Sequence, residues 1–454
     1  MNIRERIDAS PMAPFQWVVV GVCTLLNALD GFDVLAMAFT ANRVSTEFGL
    51  SGSQLGVLLS AGLLGMAAGS LFLAPFADVF GRRPMLLFTT GLAAAGMFLS
   101  STAHSVTELG LWRVATGLGV GGILACTNVI TSEYSNKRWR GMAVSIYTAG
   151  YGVGATLGGM AAVSLQAAHG WRSVFVFGGI ATTVAFLLLL AVVPESVDFL
   201  ITKRPPRAGK RLAVLARKLR LAEDTVLLPD LAGHNAGRGV RGQQVTALFS
   251  PANRRATGLI WVAFFATMFG FYFVNSWTPK LLVTAGMTES QGVVGGLMLT
   301  LGGTFGALLF GALTTTWQTR KVLLVFTVLS SITMVLFISA VGILALAFGM
   351  GIVVGMLING CIAGLYTLAP ASYAPHTRGT GVGWAIGIGR FGAILAPLAA
   401  GALLDAAWSA GQLYLGVGIV VLVAAVAIGL MRSPQAAEPV AAVDVEALVV
   451  VDGR

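Results

Sequence analysis

Between Phe15 and Met431 the sequence keeps returning to apolar stretches of about 20 residues or more, the length a helix needs to cross a bilayer. No other feature narrows the possible folds as much. Backbone groups in hydrocarbon have no water to bond, so only helices and closed barrels survive there. We read an all-α membrane protein with twelve transmembrane helices, at about 15–40, 53–77, 84–103, 107–133, 141–167, 172–193, 255–280, 290–316, 321–341, 344–370, 379–404 and 410–431. Only 11% of residues are charged, against about 25% in soluble domains. The net charge of +10 would suggest nucleic acid in a soluble protein. Here its placement on one side of a membrane explains it better, so the expected partner is the lipid bilayer and not nucleic acid.

The positive charge sorts by side. Arg4, Arg6, Arg82, Arg83, Lys137, Arg138, Arg140, Arg320, Lys321 and Arg378 fall together, with the long central loop. The opposite side has chiefly Arg43, His169, Arg172 and Lys280. By the positive-inside rule the first side is cytoplasmic and holds both termini. A multi-pass protein of the cell (inner or plasma) membrane is expected. The polar start Met1 to Ser10 leads directly into a full span, without the form of a cleavable signal peptide. The expected organisation is an N-terminal bundle (1–193), a basic cytoplasmic linker (194–254), a C-terminal bundle (255–432) and a disordered tail (433–454). The linker carries one amphipathic helix near 209–222, suited to anionic headgroups.

The halves repeat. Arg140-Gly141-Met142-Ala143-Val144 recurs as Arg378-Gly379-Thr380-Gly381-Val382, an offset of 238 that pairs Gly154 with Gly392 and Gly117 with Gly355. At an offset of 239, Asp30-Gly31-Phe32-Asp33 falls on Phe269-Gly270-Phe271-Tyr272. Parallel six-helix halves with a site between them at mid-membrane are the layout of secondary transporters.

Asp30 and Asp33 stand in the middle of the first span, where each carboxylate costs about 2.5 to 3.5 kcal/mol on insertion scales. Their i, i+3 spacing puts both on one helix face, with Asn27 a turn earlier. Neutralising an Asp near pH 7 costs roughly 4 kcal/mol, from three units at about 1.36 each. Charged and neutral forms are thus near balance, which suits a proton-carrying pair. Arg113, about two turns inside span four, shares the outer half with them, and a charge pair or relay is open. Arg390 stands about eleven residues in from Gly379, roughly 16 Å deep at about 1.5 Å per residue. A guanidinium there suits bidentate carboxylate binding. Cys23, Cys126 and Cys361 fall inside spans and indicate neither disulfides nor a metal site. No cofactor is expected beyond protons as the coupling ion.

Several of these elements resemble one family. Asp78-Val79-Phe80-Gly81-Arg82-Arg83 looks like the D-x-x-G-R-R loop of the major facilitator superfamily, with Ala74 where Gly is usual and Pro84 where a basic residue is usual. Arg113-Val114-Ala115-Thr116-Gly117-Leu118-Gly119 resembles its R-x-x-x-G-x-G element. Gly150 to Gly159 has the spacing of its antiporter motif, but Ala155 replaces the proline, which argues against an exporter. Pro194-Glu195-Ser196 resembles an element of solute importers. Asp30-Gly31-Phe32-Asp33 together with Arg390 resembles the superfamily's aromatic acid:proton symporters.

The resemblance implies the major facilitator fold, two six-helix bundles around a central cavity. It further implies a proton-coupled symporter importing small aromatic or aromatic-derived carboxylates by alternating access. Proton coupling falls to Asp30, Asp33 and Arg113; substrate binding to Arg390, Phe269, Tyr272, Asn27, Tyr151 and Asn275; gating to Asp78, Gly81, Arg82, Arg83 and Glu133. The Asp78–Arg82 end is expected to latch the two halves, with Glu133 as the partner of Arg82. A monomer is expected. A proton-coupled sugar or drug transporter is the nearest alternative, and sugar sites lean on Gln and Asn instead of an arginine. A membrane enzyme lacks a catalytic constellation here, and a sensing receptor would not need intramembrane carboxylates.

Overall fold

A computed structural model describes residues 3–221, 248–251, 253–373 and 375–431. The long helices are α1 (Pro14–Phe48), α2 (Gly52–Phe80), α3 (Arg82–Ser101), α4 (Val106–Glu133), α5 (Arg140–His169), α6 (Arg172–Val192), α7 (Arg254–Thr284), α8 (Glu289–Leu313), α9 (Thr319–Ser339), α10 (Leu344–Ala371), α11 (Pro375–Asp405) and α12 (Ala410–Leu430). Among the described residues, eleven helices are long and apolar enough to span a bilayer. The remaining long helix, α5, has the length but dilutes its apolar residues with glycines between Gly150 and Gly159. Helix α2 passes through one π-turn at Gly69–Leu73.

Helices α1 and α5, α2 and α4, and α3 with α4 and α6 pack together in the first half. Their repeat counterparts α7 with α11, α8 with α10, and α9 with α12 do so in the second. Glycines permit the closest crossings. A Cβ at Gly117 would collide with the Gly62 carbonyl of α2, and one at Gly355 with the Leu299 carbonyl of α8. That matches the offset of 238. The first span is corrected: Gly154 rests on Ala28 and Gly392 on Phe265, while Tyr151 meets Gly31 where Gly389 meets Met268. The offset between α1 and α7 is therefore 237, so Asp30 and Asp33 correspond to Thr267 and Gly270 and not to Phe269 and Tyr272. Backbone contact at the glycines sets the register, and the matching Gly-Phe pairs in the two spans do not.

Part of the expected linker docks on the first half. Short helices Val197–Lys203 and Ala208–Lys218 bury Val197, Leu200, Leu212 and Leu215. Lys218 stands 4.9 Å from the Phe15 ring centroid. The amphipathic helix thus covers its apolar face with protein. The rest of the linker from 222 to 247 and the expected tail lie outside the described residues.

The halves meet along α2–α11, α5–α8 and α1–α7. Polar contacts seal the end opposite Arg82-Arg83. The Asp405 carboxylate accepts from the amides of Gly52 at 2.6 Å and Ser53 at 2.8 Å, at the start of α2. Glu289 accepts from Asn42 Nδ2 at 2.7 Å and Arg43 Nε at 2.8 Å, and Lys280 Nζ donates to Asn42 Oδ1 at 2.9 Å. Deeper in, Ser60 Oγ donates to the Ile394 carbonyl at 2.9 Å. Removing the two carboxylates, Asp405→Ala with Glu289→Ala, should loosen this seal. A cysteine placed at Ser60 should then react several-fold faster with an impermeant maleimide applied from that side, and an unchanged rate would mean the seal is held by packing alone.

Candidate functional site

The carboxylates of α1 divide between two surroundings. Asp33 forms a two-pronged ion pair with Arg113 of α4, Oδ1 to Nη1 at 2.7 Å and Oδ2 to Nη2 at 3.2 Å. Arg113 Nη2 also donates to the Asp33 carbonyl at 3.0 Å. The guanidinium carbon lies 5.6 Å from the Phe175 ring centroid, and the arginine is 2% exposed. Asp30 is 4% exposed, and its Oδ1 is buried with no hydrogen-bond partner. Both carboxylates border a small space that Thr116 also lines. One aspartate is held, and the other is not.

Arg390 stands mid-way along α11, half-buried, where the halves meet. Its Nη1 approaches Met66 Sδ of α2 at 2.9 Å. Its electrostatic neighbours are Tyr272, Tyr366, Asp30 and Tyr151, drawn from four other helices. Tyr272 packs edge-on against Phe271 at 5.1 Å. A cavity of about 480 Å³ between α5, α7, α8 and α10 adjoins this cluster through Tyr151 and runs toward the Arg140 end of α5. Asn275 and Phe271 also line it, as do Thr304 and Asn359, which the sequence reading missed.

Two expected substrate contacts lie elsewhere. Asn27 is 4% exposed and donates to the Tyr147 carbonyl at 2.7 Å, tying α1 to α5. Phe269 stacks on Phe265 at 6.2 Å and does not line the cavity. Asn359 and Thr304 gave no signal in the sequence, because a polar residue in a span can equally satisfy itself on its own helix. The glycines they pack on were visible: Asn359 lies on Gly303 and Thr304 on Gly152.

The residues expected to gate form a closed cluster within the first half. Arg82 pairs with Glu133, as expected, and donates to Ser196 Oγ at 3.1 Å. Ser196 Oγ in turn donates to Glu133 Oε2 at 2.7 Å. Glu195 Oε1 accepts from the amides of Arg82 at 2.8 Å and Arg83 at 3.1 Å, where α3 begins and its dipole favours an anion. Gly81 has φ +106°, and a Cβ there would collide with Glu195. Glu195 and Ser196 were noticed only as part of a motif. Asp78 is more loosely held: its carboxylate is 76% exposed and 3.9 Å from Arg82. In this conformation the cluster joins helices of one half, and the halves are held together at the opposite end.

A model of the Major Facilitator Superfamily matches residues 20–354. The chain belongs to that superfamily. It is 30% identical to the 4-hydroxybenzoate transporter PcaK of Pseudomonas putida over 415 residues, 91% of each chain. It is 31% identical to the gallate transporter of the same organism over 440 residues, 94% of each. It is 30% identical to the 3-(3-hydroxy-phenyl)propionate transporter of Escherichia coli K12 over 419 residues, 91% of each. Among solved structures, the inward open form of the xylose transporter XylE from E. coli superposes with a TM-score of 0.71 at 17% identity, covering 93% of this chain and 98% of that one. That likeness establishes the superfamily fold, and the chain is a multi-pass integral membrane protein.

The buried Asp33–Arg113 pair makes a stability prediction. Losing one partner strands the other charge, which costs about 3 to 5 kcal/mol, whereas replacing both by apolar residues is often neutral. Arg113→Leu should therefore lower the unfolding temperature in detergent sharply, and adding Asp33→Leu should recover most of the loss. Additive losses in the double variant would mean the two residues do not act as a pair.

Proposed function

We propose that this protein is a proton-coupled importer of small aromatic carboxylates that works by alternating access. The observation that carries the reading is Arg390, a guanidinium at mid-membrane, surrounded by tyrosines and facing a carboxylate with an unpartnered oxygen. Relatives named as transporters of hydroxybenzoate, gallate and hydroxyphenylpropionate support the substrate class. Guanidinium recognises a carboxylate by two parallel hydrogen bonds, and Tyr272 and Tyr151 supply ring faces beside it.

Coupling follows from competition for one cation. Asp30 and the substrate carboxylate both draw on Arg390. When the anion occupies the guanidinium, a charged Asp30 loses its compensation in a medium of low dielectric. Taking up a proton removes that penalty, so proton and anion load together. Asp33 keeps its two-pronged contact with Arg113 and fixes the position of α1. The Arg82-Arg83 end faces the cytoplasm on this reading, and the present conformation releases substrate there. When that end closes, exposed Asp78 is free to meet the second half. One chain holds every wall of the cavity, so a monomer suffices.

Uptake of radiolabelled 4-hydroxybenzoate into vesicles, with and without an imposed pH gradient, tests the proposal. Asp30→Asn should abolish gradient-driven accumulation while binding survives. Arg390→Lys should weaken equilibrium binding by about 2 to 5 kcal/mol, since a point charge cannot reproduce the fork. Accumulation by Asp30→Asn with normal pH dependence would refute the coupling role. Undiminished affinity in Arg390→Lys would remove Arg390 from the site.

A further inference from the structure

Four polar side chains in the cavity that adjoins Arg390 each spend a donor on their own helix. Asn275 Nδ2 donates to the Phe271 carbonyl of its own helix at 2.8 Å, and Asn359 Nδ2 to the Gly355 carbonyl at 3.0 Å. A carbonyl can only accept, so each amide nitrogen is fixed toward its helix and each Oδ1 is turned away from it. The hydroxyls behave alike. Thr148 donates to the Val144 carbonyl at 2.8 Å and Thr304 to the Thr300 carbonyl at 3.2 Å. Each has used its one proton on its own helix, leaving lone pairs. All four residues line the cavity, beside Phe271 and Leu308. This wall of the pocket therefore presents amide oxygens and hydroxyl lone pairs on an apolar ground, while the Tyr151 hydroxyl lies at the end nearest the cation on α11.

Such a wall suits a donor better than a carboxylate, which would bring its acceptors to those acceptors. Building on the proposed function, in which the carboxylate sits on Arg390, we infer that Asn275 and Asn359 are specificity-determining residues that accept a hydrogen bond from a ring hydroxyl at the far end of the substrate. The substrate class is narrowed to hydroxylated aromatic acids. A ring bearing hydrogen, methyl or an ether in that place buries the two amide oxygens without a donor, and a site built to bond a hydroxyl rejects the analogue that lacks it. Gly303 and Gly152 are part of the device, since a Cβ at either would occupy the space that Asn359 and Thr304 fill.

The test compares two probes of similar size, 4-hydroxybenzoate and 4-methylbenzoate, by equilibrium binding to the purified full-length protein. The readout is the ratio of their dissociation constants within each variant, which is insensitive to changes affecting both ligands. Wild type should favour the hydroxylated acid by about tenfold or more. Asn275→Leu and Asn359→Leu should each reduce the ratio several-fold, and the double variant should bring it near unity. Asn275→Thr and Asn359→Thr, whose hydroxyls can turn to the same carbonyls and leave an acceptor, should keep most of it. Asn275→Ala and Asn359→Ala serve where leucine is not accommodated. Equal binding of both acids by wild type would overturn this inference and leave the proposed function standing, as would a ratio unchanged in both leucine variants. Binding of neither acid by folded wild type would overturn both.

Discussion

Inside hydrocarbon a polar group has no solvent to fall back on, so every one must find its partner in the protein. Most of this structure follows from that demand. Hydroxyls such as Thr40, Thr89 and Thr127 bond the carbonyl four residues earlier in their own helices. Asn27 spends its amide on a neighbouring helix. Arg113 and Asp33 satisfy each other, with the Asp33 carbonyl taking a further guanidinium proton. Against this background two charged groups where the halves meet stand out. Asp30 keeps a buried oxygen unpartnered, and Arg390 faces a sulfur and a ring of tyrosines instead of a bound carboxylate.

The same demand explains how the two halves can separate at one end and hold at the other. Along α2–α11, the seal is made of backbone and carboxylate groups at helix ends, beside close contacts such as Gly56 on Pro397. These partners sit where water can replace them, so breaking them is cheap compared with exposing Asp33 or Arg113. The Arg82–Glu133–Ser196 cluster, by contrast, stays within its own half and stiffens the turn between α2 and α3. The two most buried charge pairs, Asp33–Arg113 and Arg82–Glu133, lie within the first half, and Arg43–Glu289, which joins the halves, is half-exposed.

The site inherits this division. The first half brings the carboxylates and Tyr151; the second brings Arg390, Tyr272 and the two asparagines. Arg390 and Asp30 thus come from opposite halves, and on the proposed function the site is complete only when both halves supply them. The neutral wall of Asn275 and Asn359 resembles what a sugar site would use. Arg390 beside it argues for an anion with a polar far end.

Long apolar runs and the sorting of lysines and arginines were readable without any structure, because hydrocarbon thickness and charge insertion act on the chain one segment at a time. The same local logic exposed Asp30, Asp33, Arg113 and Arg390, each too costly to be there without a task. It even supplied the pairing of Arg82 with Glu133, both at helix ends on one side. What the sequence alone could not decide was direction. Whether Asn27 turns to Tyr147 or to the cavity, whether Phe269 faces substrate or Phe265, and which residue of α7 matches Asp30 all depend on helix rotation. That rotation is fixed where glycines such as Gly154 and Gly392 let backbones touch. A shift of two residues turns a helix by about 200° at 3.6 residues per turn, so a small error in register reverses a face. Asn359 and Thr304 became part of the site only when four helices met around one space.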